Sequence, residues 1–165
     1  MSARAGEAGA GGAEPARTTW DGLPVSADPP HGVTVVVYRR APGGVEVLLL
    51  HRAHNGPEYE GDWAWTPPAG SRWPGEPVAD CARRELHEEA GLALDLRPTA
   101  CGTADWAVYV AEAPSGAAVS LAHDPEHDRY EWLPPDAAVA RCRPAPVASA
   151  LARATALVQR ASPSA

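Results

Sequence analysis

Phenylalanine is missing from this chain of 165 residues, and so is lysine: all 14 basic residues are arginine. Both gaps fit a bias toward GC-rich codons, and no function follows from them. Cysteine is scarce, with only Cys81, Cys101 and Cys142, odd in number, far apart and without C-x-x-C spacing. That pattern speaks against a disulfide framework and a zinc cluster, and it suits a reducing cytoplasm. His51, His54 and His123 show no zinc-triad spacing either and read as surface or loop residues. No apolar run approaches the roughly 20 residues needed to span a bilayer. The leading MSARAGEAGAGGAEPAR has no apolar core of a signal peptide. Its Ala/Gly content reads as a flexible tail over residues 1–19, ahead of one domain over 20–165. No internal repeat is visible.

What the chain does contain is enough apolar side chain for one real core, at 45% of residues. Its formal charge of −7 argues against a general nucleic-acid binder or an anionic-membrane binder. A small anion held by local arginines or by a metal stays open. GVTVVVYRR (32–40) and VEVLLLHR (45–52) read as two strands joined by a turn at APGG, a hairpin. A polar loop (53–62) leads to WAWTPPAG (63–70), a short apolar segment broken by Pro67 and Pro68. A helix is predicted over 77–90, with Pro77 in its first turn and Gly91 just past its end. Val78, Cys81 or Ala82, Leu86 and Ala90 form its apolar stripe. LALDLR (92–97), DWAVYVAEA (105–113) and Tyr130–Leu133 read as strands, and 145–160 as a last helix. The elements interleave without a strict βαβ rhythm, so the class is α/β with a mixed sheet flanked by helices.

Inside the 77–90 helix lies CARRELHEEAGL (81–92). Glu85 stands three residues from Glu88 and four from Glu89, so all three share a face. Like charges at that spacing repel, and near a helix C-terminus the macrodipole disfavours anions as well. One reading is a solvated acidic face partly compensated by Arg83 and Arg84. The other is a set of hard oxygen ligands for Mg²⁺ or Mn²⁺, whose charge would turn repulsion into attraction.

The stretch Gly70–Leu92, GSRWPGEPVADCARRELHEEAGL, matches G-x5-E-x7-R-E-U-x-E-E-x-G-U at every fixed position, U being a bulky aliphatic. The matching residues are Gly70, Glu76, Arg84, Glu85, Leu86, Glu88, Glu89, Gly91 and Leu92. In this the chain resembles the Nudix hydrolase family, over roughly residues 30–160. The resemblance implies an α/β/α sandwich and hydrolysis of a nucleoside diphosphate linked to another moiety. It implies Mg²⁺, with Mn²⁺ as a substitute, held by Glu85, Glu88, Glu89 and the Gly70 carbonyl. Arg84 would orient Glu85, with Glu76 as a further partner, and Gly91 would be structural. The expected partner is a small nucleotide, not a nucleic acid or a membrane.

Three further stretches bear on the substrate. WTPPAG (65–70) is similar to the W-T-P-P-K-G of diadenosine tetraphosphate hydrolases in the same superfamily, with Ala69 in place of the lysine. Arg52 or Arg72 would then meet phosphate, and Trp65 either touches substrate or packs a stiff turn. EHDRYEWL (126–133) resembles the E-H-x-x-Y-x-W-L of the same enzymes. By that likeness Glu126 is a further metal ligand or base and His127 stabilises phosphate charge; Tyr130 stacks on a base or simply packs. Tyr109, 17 residues past Leu92, stands where such members stack adenine, though an alternating strand also suits the core. Trp63, Trp65 and Trp73 bracket the motif and either clamp a base or supply bulk. The reading is a dinucleoside polyphosphate hydrolase. Its rivals are a MutT-type nucleoside triphosphate pyrophosphatase and a non-catalytic Nudix-fold sensor, the last disfavoured by the intact motif.

Overall fold

The computed structural model describes residues 16–123 and 125–161. Of the expected tail over 1–19, residues 1–15 lie outside the described residues, while Thr18 bridges to Pro24.

The β-branched run forms β1 (Gly32–Ala41), which turns through Pro42-Gly43 into β2 (Gly44–Arg52). Gly44, at φ +124°, closes the turn in a conformation that favours glycine. The two strands pair from Ala41↔Gly44 to Tyr38↔Val47 and then part. The WTPPAG segment fills the fork. Its first half, β3 (Trp65–Thr66), pairs with the end of β2, and its second half, β4 (Ala69–Ser71), pairs with the start of β1. Pro67 and Pro68 make the bend between them without leaving an amide N–H to satisfy, and the Val35 N–H donates to the Pro68 carbonyl at 2.8 Å.

The other edge of β1 pairs in parallel with β6 (Trp106–Glu112), itself edged by the two-residue β5 (Arg97–Pro98). The other edge of β2 pairs antiparallel with β7 (His127–Leu133). Side chains alternate across this mixed sheet. Val33, Val35, Val37, Leu48, Leu50 and Tyr109 face α1 (Val78–Ala90), meeting Cys81, Ala82, Leu86 and Ala90 of its apolar stripe. Val36, Val47, Leu49, Val108 and Val110 face α2 (Pro135–Arg141) and α3 (Ala145–Ala161), meeting Ala138, Leu151, Ala154 and Val158. Each such valine or leucine contributes about 1.5–3 kcal/mol on burial. The result is the α/β/α sandwich expected, with a helix layer on each face.

Gly91 ends α1 at φ +65°, its N–H donating to the His87 carbonyl at 2.9 Å, so the glycine stop in the sequence is a left-handed cap. The strand expected over 92–97 is a correction. Leu92, Leu94 and Leu96 do pack on the α1-side core, but only Arg97 and Pro98 find a ladder partner, in β6. Alternation there reports burial, not pairing. The strand over Tyr130–Leu133 begins earlier, at His127, and α2 is an element that the sequence reading did not include.

Candidate active site

The fork in the sheet sets Gly70 against α1. A Cβ added at Gly70 would lie 2.0–2.3 Å from the carboxyl atoms of Glu85, so no larger residue leaves that carboxyl in place. The Ala69 N–H donates to Glu89 Oε2 at 3.0 Å, tying the same loop to the next turn of the helix. Glu85 and Glu89 are buried, while the Glu88 side chain is 47% exposed. Gly70, Glu85, Glu88, Glu89, Arg52 and Glu126 all line one cleft of about 730 Å³.

Arg84 organises the acids. Its Nε and Nη2 donate to the two oxygens of Glu76 at 2.8 and 3.0 Å, a bidentate pair. Its Nη1 donates to Glu85 Oε1 at 2.8 Å and reaches Glu88 Oε2 at 3.3 Å. Nη2 also donates to the Ser71 carbonyl at 3.0 Å, and Trp73 lies 3.9 Å over the guanidinium. Burial tends to raise the Glu76 carboxyl, but the Arg84 hydrogen bonds outweigh it and hold the carboxyl below its ordinary value. Glu85 goes the other way. Burial pushes its carboxyl up to about 7, Glu88 and Glu126 add to the rise, and Arg84 offsets only part of it.

Two expectations follow. Arg84→Met leaves the buried Glu85 without its ion-pair partner and the half-buried Glu76 with the Trp73 N–H but no guanidinium, and should cost about 3 kcal/mol or more of stability by chemical denaturation. Arg84→Lys should recover little, because an ammonium cannot fork onto Glu76 while reaching Glu85. The second concerns pH. A carboxyl whose folded value is raised stabilises the fold while protonated, and that contribution is lost as pH climbs from 4.5 to about 7. Cation-free protein should therefore lose about 3 kcal/mol of stability across that window. Denaturation midpoints that rise instead would contradict the assignment.

Whether a divalent cation fits is a matter of donor type and placement. Glu85, Glu88, Glu89 and Glu126 line the same cleft as Gly70, and carboxylate and carbonyl oxygens are the hard donors that Mg²⁺ and Mn²⁺ take. Burial raises Glu85, the Glu88 and Glu126 charges add to it, and positive charge in their midst would offset both. Among the described residues no three His, Cys, Asp or Glu side chains already converge as a metal shell. Arg84 draws Glu85 and Glu88 toward itself, and Glu89 is engaged by the Ala69 amide. The donor set fits the cation in chemistry and position, with side-chain rotation needed to close it.

The remaining candidates divide. Arg52 lines the cleft, and its Nε is buried without a hydrogen-bond partner among the described residues. The Ala53 N–H donates to the Glu126 carbonyl at 2.8 Å, which brings Glu126 from the loop before β7 to the same cleft. His127 is buried in register with Arg52 but is not among the residues lining the cleft.

Four candidates stand off the cleft. Arg72 does not meet the cleft: it is buried, its Nε, Nη1 and Nη2 donating to the carbonyls of Pro30, Glu76 and Asp28. Trp65 is buried on the α3 side, its Nε1 donating to Glu60, because strand alternation turns it away from the cleft. Tyr109 sits in the α1-side core by the same alternation. Tyr130 is partly exposed on β7, away from the cleft lining.

His51, read as a surface residue, is fully buried. Its Nδ1 meets Asp128 at 2.7 Å and its Nε2 meets the Tyr59 carbonyl at 2.8 Å. This pins β2 to β7 where the register shifts, two residues from Glu126. The sequence reading also missed Trp20 and Trp106, which line the cleft with Trp63 and Trp73.

Comparisons with known proteins agree with this geometry. The NUDIX domain family model matches residues 29–157. No curated protein matches. Among solved structures, Ap4A hydrolase of C. elegans, in a binary complex, is 26% identical, with TM-score 0.61 over 77% of this chain and 96% of that one. RenU, a Nudix hydrolase of M. smegmatis, is 18% identical, with TM-score 0.67 over 93% and 99%. The E. coli dihydroneopterin triphosphate pyrophosphohydrolase is 22% identical, with TM-score 0.57 over 78% and 96%.

Proposed function

The chain belongs to the NUDIX domain family and is a Nudix hydrolase; from that premise we propose that it hydrolyses a phosphoanhydride bond of a dinucleoside polyphosphate with the help of Mg²⁺ or Mn²⁺. The observation that carries the reading is that Glu85, Glu88, Glu89 and Glu126 line one cleft together with Arg52. The likeness to an Ap4A hydrolase, together with WTPPAG and EHDRYEWL, supports the substrate class.

Glu85, Glu88, Glu89, Glu126 and the Gly70 carbonyl would hold the cation. When bound, the cation supplies Lewis-acid charge to the phosphoryl centre and makes water easier to deprotonate. Arg84 keeps Glu85 in register through the bonds already described. Arg52 offers its unpartnered Nε to a phosphate oxygen, the task that a lysine at position 69 would have had. A water oxygen attacks phosphorus, the P–O bond to the departing phosphate breaks, and the water proton passes to a carboxylate. Glu126, delivered from outside the helix, is the candidate for that transfer. No helix among the described residues is long and apolar enough to cross a membrane.

The test is a substrate panel with Mg²⁺, with products identified by mass in isotopically labelled water. Diadenosine tetraphosphate should be cut asymmetrically, with label in one product only. Release of pyrophosphate from nucleoside triphosphates, with the dinucleotide untouched, would move the assignment to a triphosphate pyrophosphatase. Silence across the panel would leave a sensor.

A further inference from the structure

Six large hydrophobic side chains stand exposed among the described residues, and four of them, Trp20, Leu23, Trp63 and Trp73, line this one cleft. Trp20 is 77% exposed and Trp63 50%. Two features say that these positions are built. Trp63 has φ +66°, a left-handed backbone that bulky L residues rarely adopt, and its N–H is spent on the Arg143 carbonyl at 2.8 Å. Strain of this kind persists where the surroundings impose it, and it gathers at ligand sites. Trp20 sits on a hairpin of its own. The Thr19 N–H donates to the Leu23 carbonyl at 2.8 Å, the Leu23 N–H donates to Thr19 Oγ1 at 3.0 Å, and Thr18 bridges to Pro24.

That hairpin is fastened to the site. The Ser26 N–H donates to the Arg72 carbonyl at 2.7 Å, and the Arg72 guanidinium grips the Asp28 and Pro30 carbonyls. Arg72, the residue after β4, therefore holds down the strap that carries Trp20. Residue 20 also lies ahead of the stretch that the family model matches, 29–157.

We infer that Trp20, on this strap, and Trp63 form a stacking platform for the nucleobase of the substrate, and so set its preference for base-bearing phosphates. This rests on the reading of the cleft as a nucleotide site. The acidic residues would engage phosphate through a cation, and phosphate offers the flat face of an indole nothing to stack on. The part of a nucleotide that suits exposed indole faces lining the same cleft is its planar base. Stacking is tolerant of base identity, so purines should be favoured over pyrimidines by overlap, without sharp discrimination.

The test is separate from turnover. Tryptophan fluorescence is titrated with adenosine 5′-monophosphate in the presence of Mg²⁺, for wild type, Trp20→Ala, Trp20→Phe and Trp63→Gly. Saturable quenching is expected in wild type, with Kd raised about tenfold or more in Trp20→Ala and Trp63→Gly, the loss of one stacked base. Trp20→Phe should keep most of the affinity, and ribose 5-phosphate should not compete at matched concentration. Trp63→Gly should melt no lower than wild type, since glycine accepts the left-handed backbone; Trp20→Ala, at an exposed site, decides the matter should that variant fold poorly. Absence of saturable quenching, a wild-type Kd in Trp20→Ala and Trp63→Gly, or equal competition by ribose 5-phosphate would overturn the inference. The hydrolysis panel can fail while this binding stands, and the reverse.

Discussion

Glu89→Gln is expected to lower kcat by about three orders of magnitude or more while the chain stays folded. Glu89 is 4% exposed and shares its cleft with Glu85, Glu88 and Glu126. Losing a ligand removes several kcal/mol of charge stabilisation at the phosphoryl centre, and each factor of ten is about 1.4 kcal/mol. The fold should survive for a local reason. The glutamine carbonyl can still accept from the Ala69 N–H, a bond that anchors the WTPPAG loop to this turn of α1. One fewer negative charge in the cluster should also leave the cation-free protein at least as stable as wild type near neutral pH. Steady-state kinetics at saturating Mg²⁺, beside thermal melts in chelator, measure both. Near-normal turnover would remove Glu89 from the ligand set.

Gly70→Ala should be nearly as damaging to catalysis, through a different route. The new methyl would fall 2.0–2.3 Å from the Glu85 carboxyl, and that group must move. Were Glu85 at the surface, the move would cost little. It is 7% exposed and fixed at 2.8 Å by Arg84, so displacement breaks the Arg84 bond and empties the position from which Glu85 would hold the cation. A kcat loss of about 100-fold or more is expected, with a modest drop in melting temperature. Glu85→Gln combined with Gly70→Ala should lose little beyond the worse single variant, because both act on one carboxyl. Independent, multiplying losses would show that Gly70 acts otherwise.

The parts of the fold that were legible in the sequence are those written in local chemistry. Glu85, Glu88 and Glu89 at spacings of three and four, with Gly91 after them, specify a helix, its end and its acidic face without reference to anything distant. The β1–β2 hairpin is equally local, from β-branched runs on either side of Pro42-Gly43.

What could not be read depends on which face a strand presents and on partners far along the chain. Trp65 and Tyr109 lie in strands where alternation buries them, and nothing in their neighbours says on which side the cleft will open. Arg72 is chemically able to bind phosphate. Two of the carbonyls that occupy it belong to Asp28 and Pro30, more than forty positions upstream, and no local pattern announces that pairing. His51 is hidden for the same reason: its partner Asp128 is 77 residues away. Trp63 gives no sign in the sequence of its left-handed backbone, which the Arg143 contact helps to hold.

The central claim is that the α1 glutamates form a seat for a divalent cation. Its most direct test is a Mn²⁺ titration followed by electron paramagnetic resonance near pH 8, on wild type and on Glu85→Gln and Glu89→Gln. The account predicts that wild type removes the free Mn²⁺ signal stoichiometrically, that Mg²⁺ restores it by competition, and that both variants leave it nearly intact. An undiminished free-ion signal with wild type, or equal uptake by all three proteins, would contradict it.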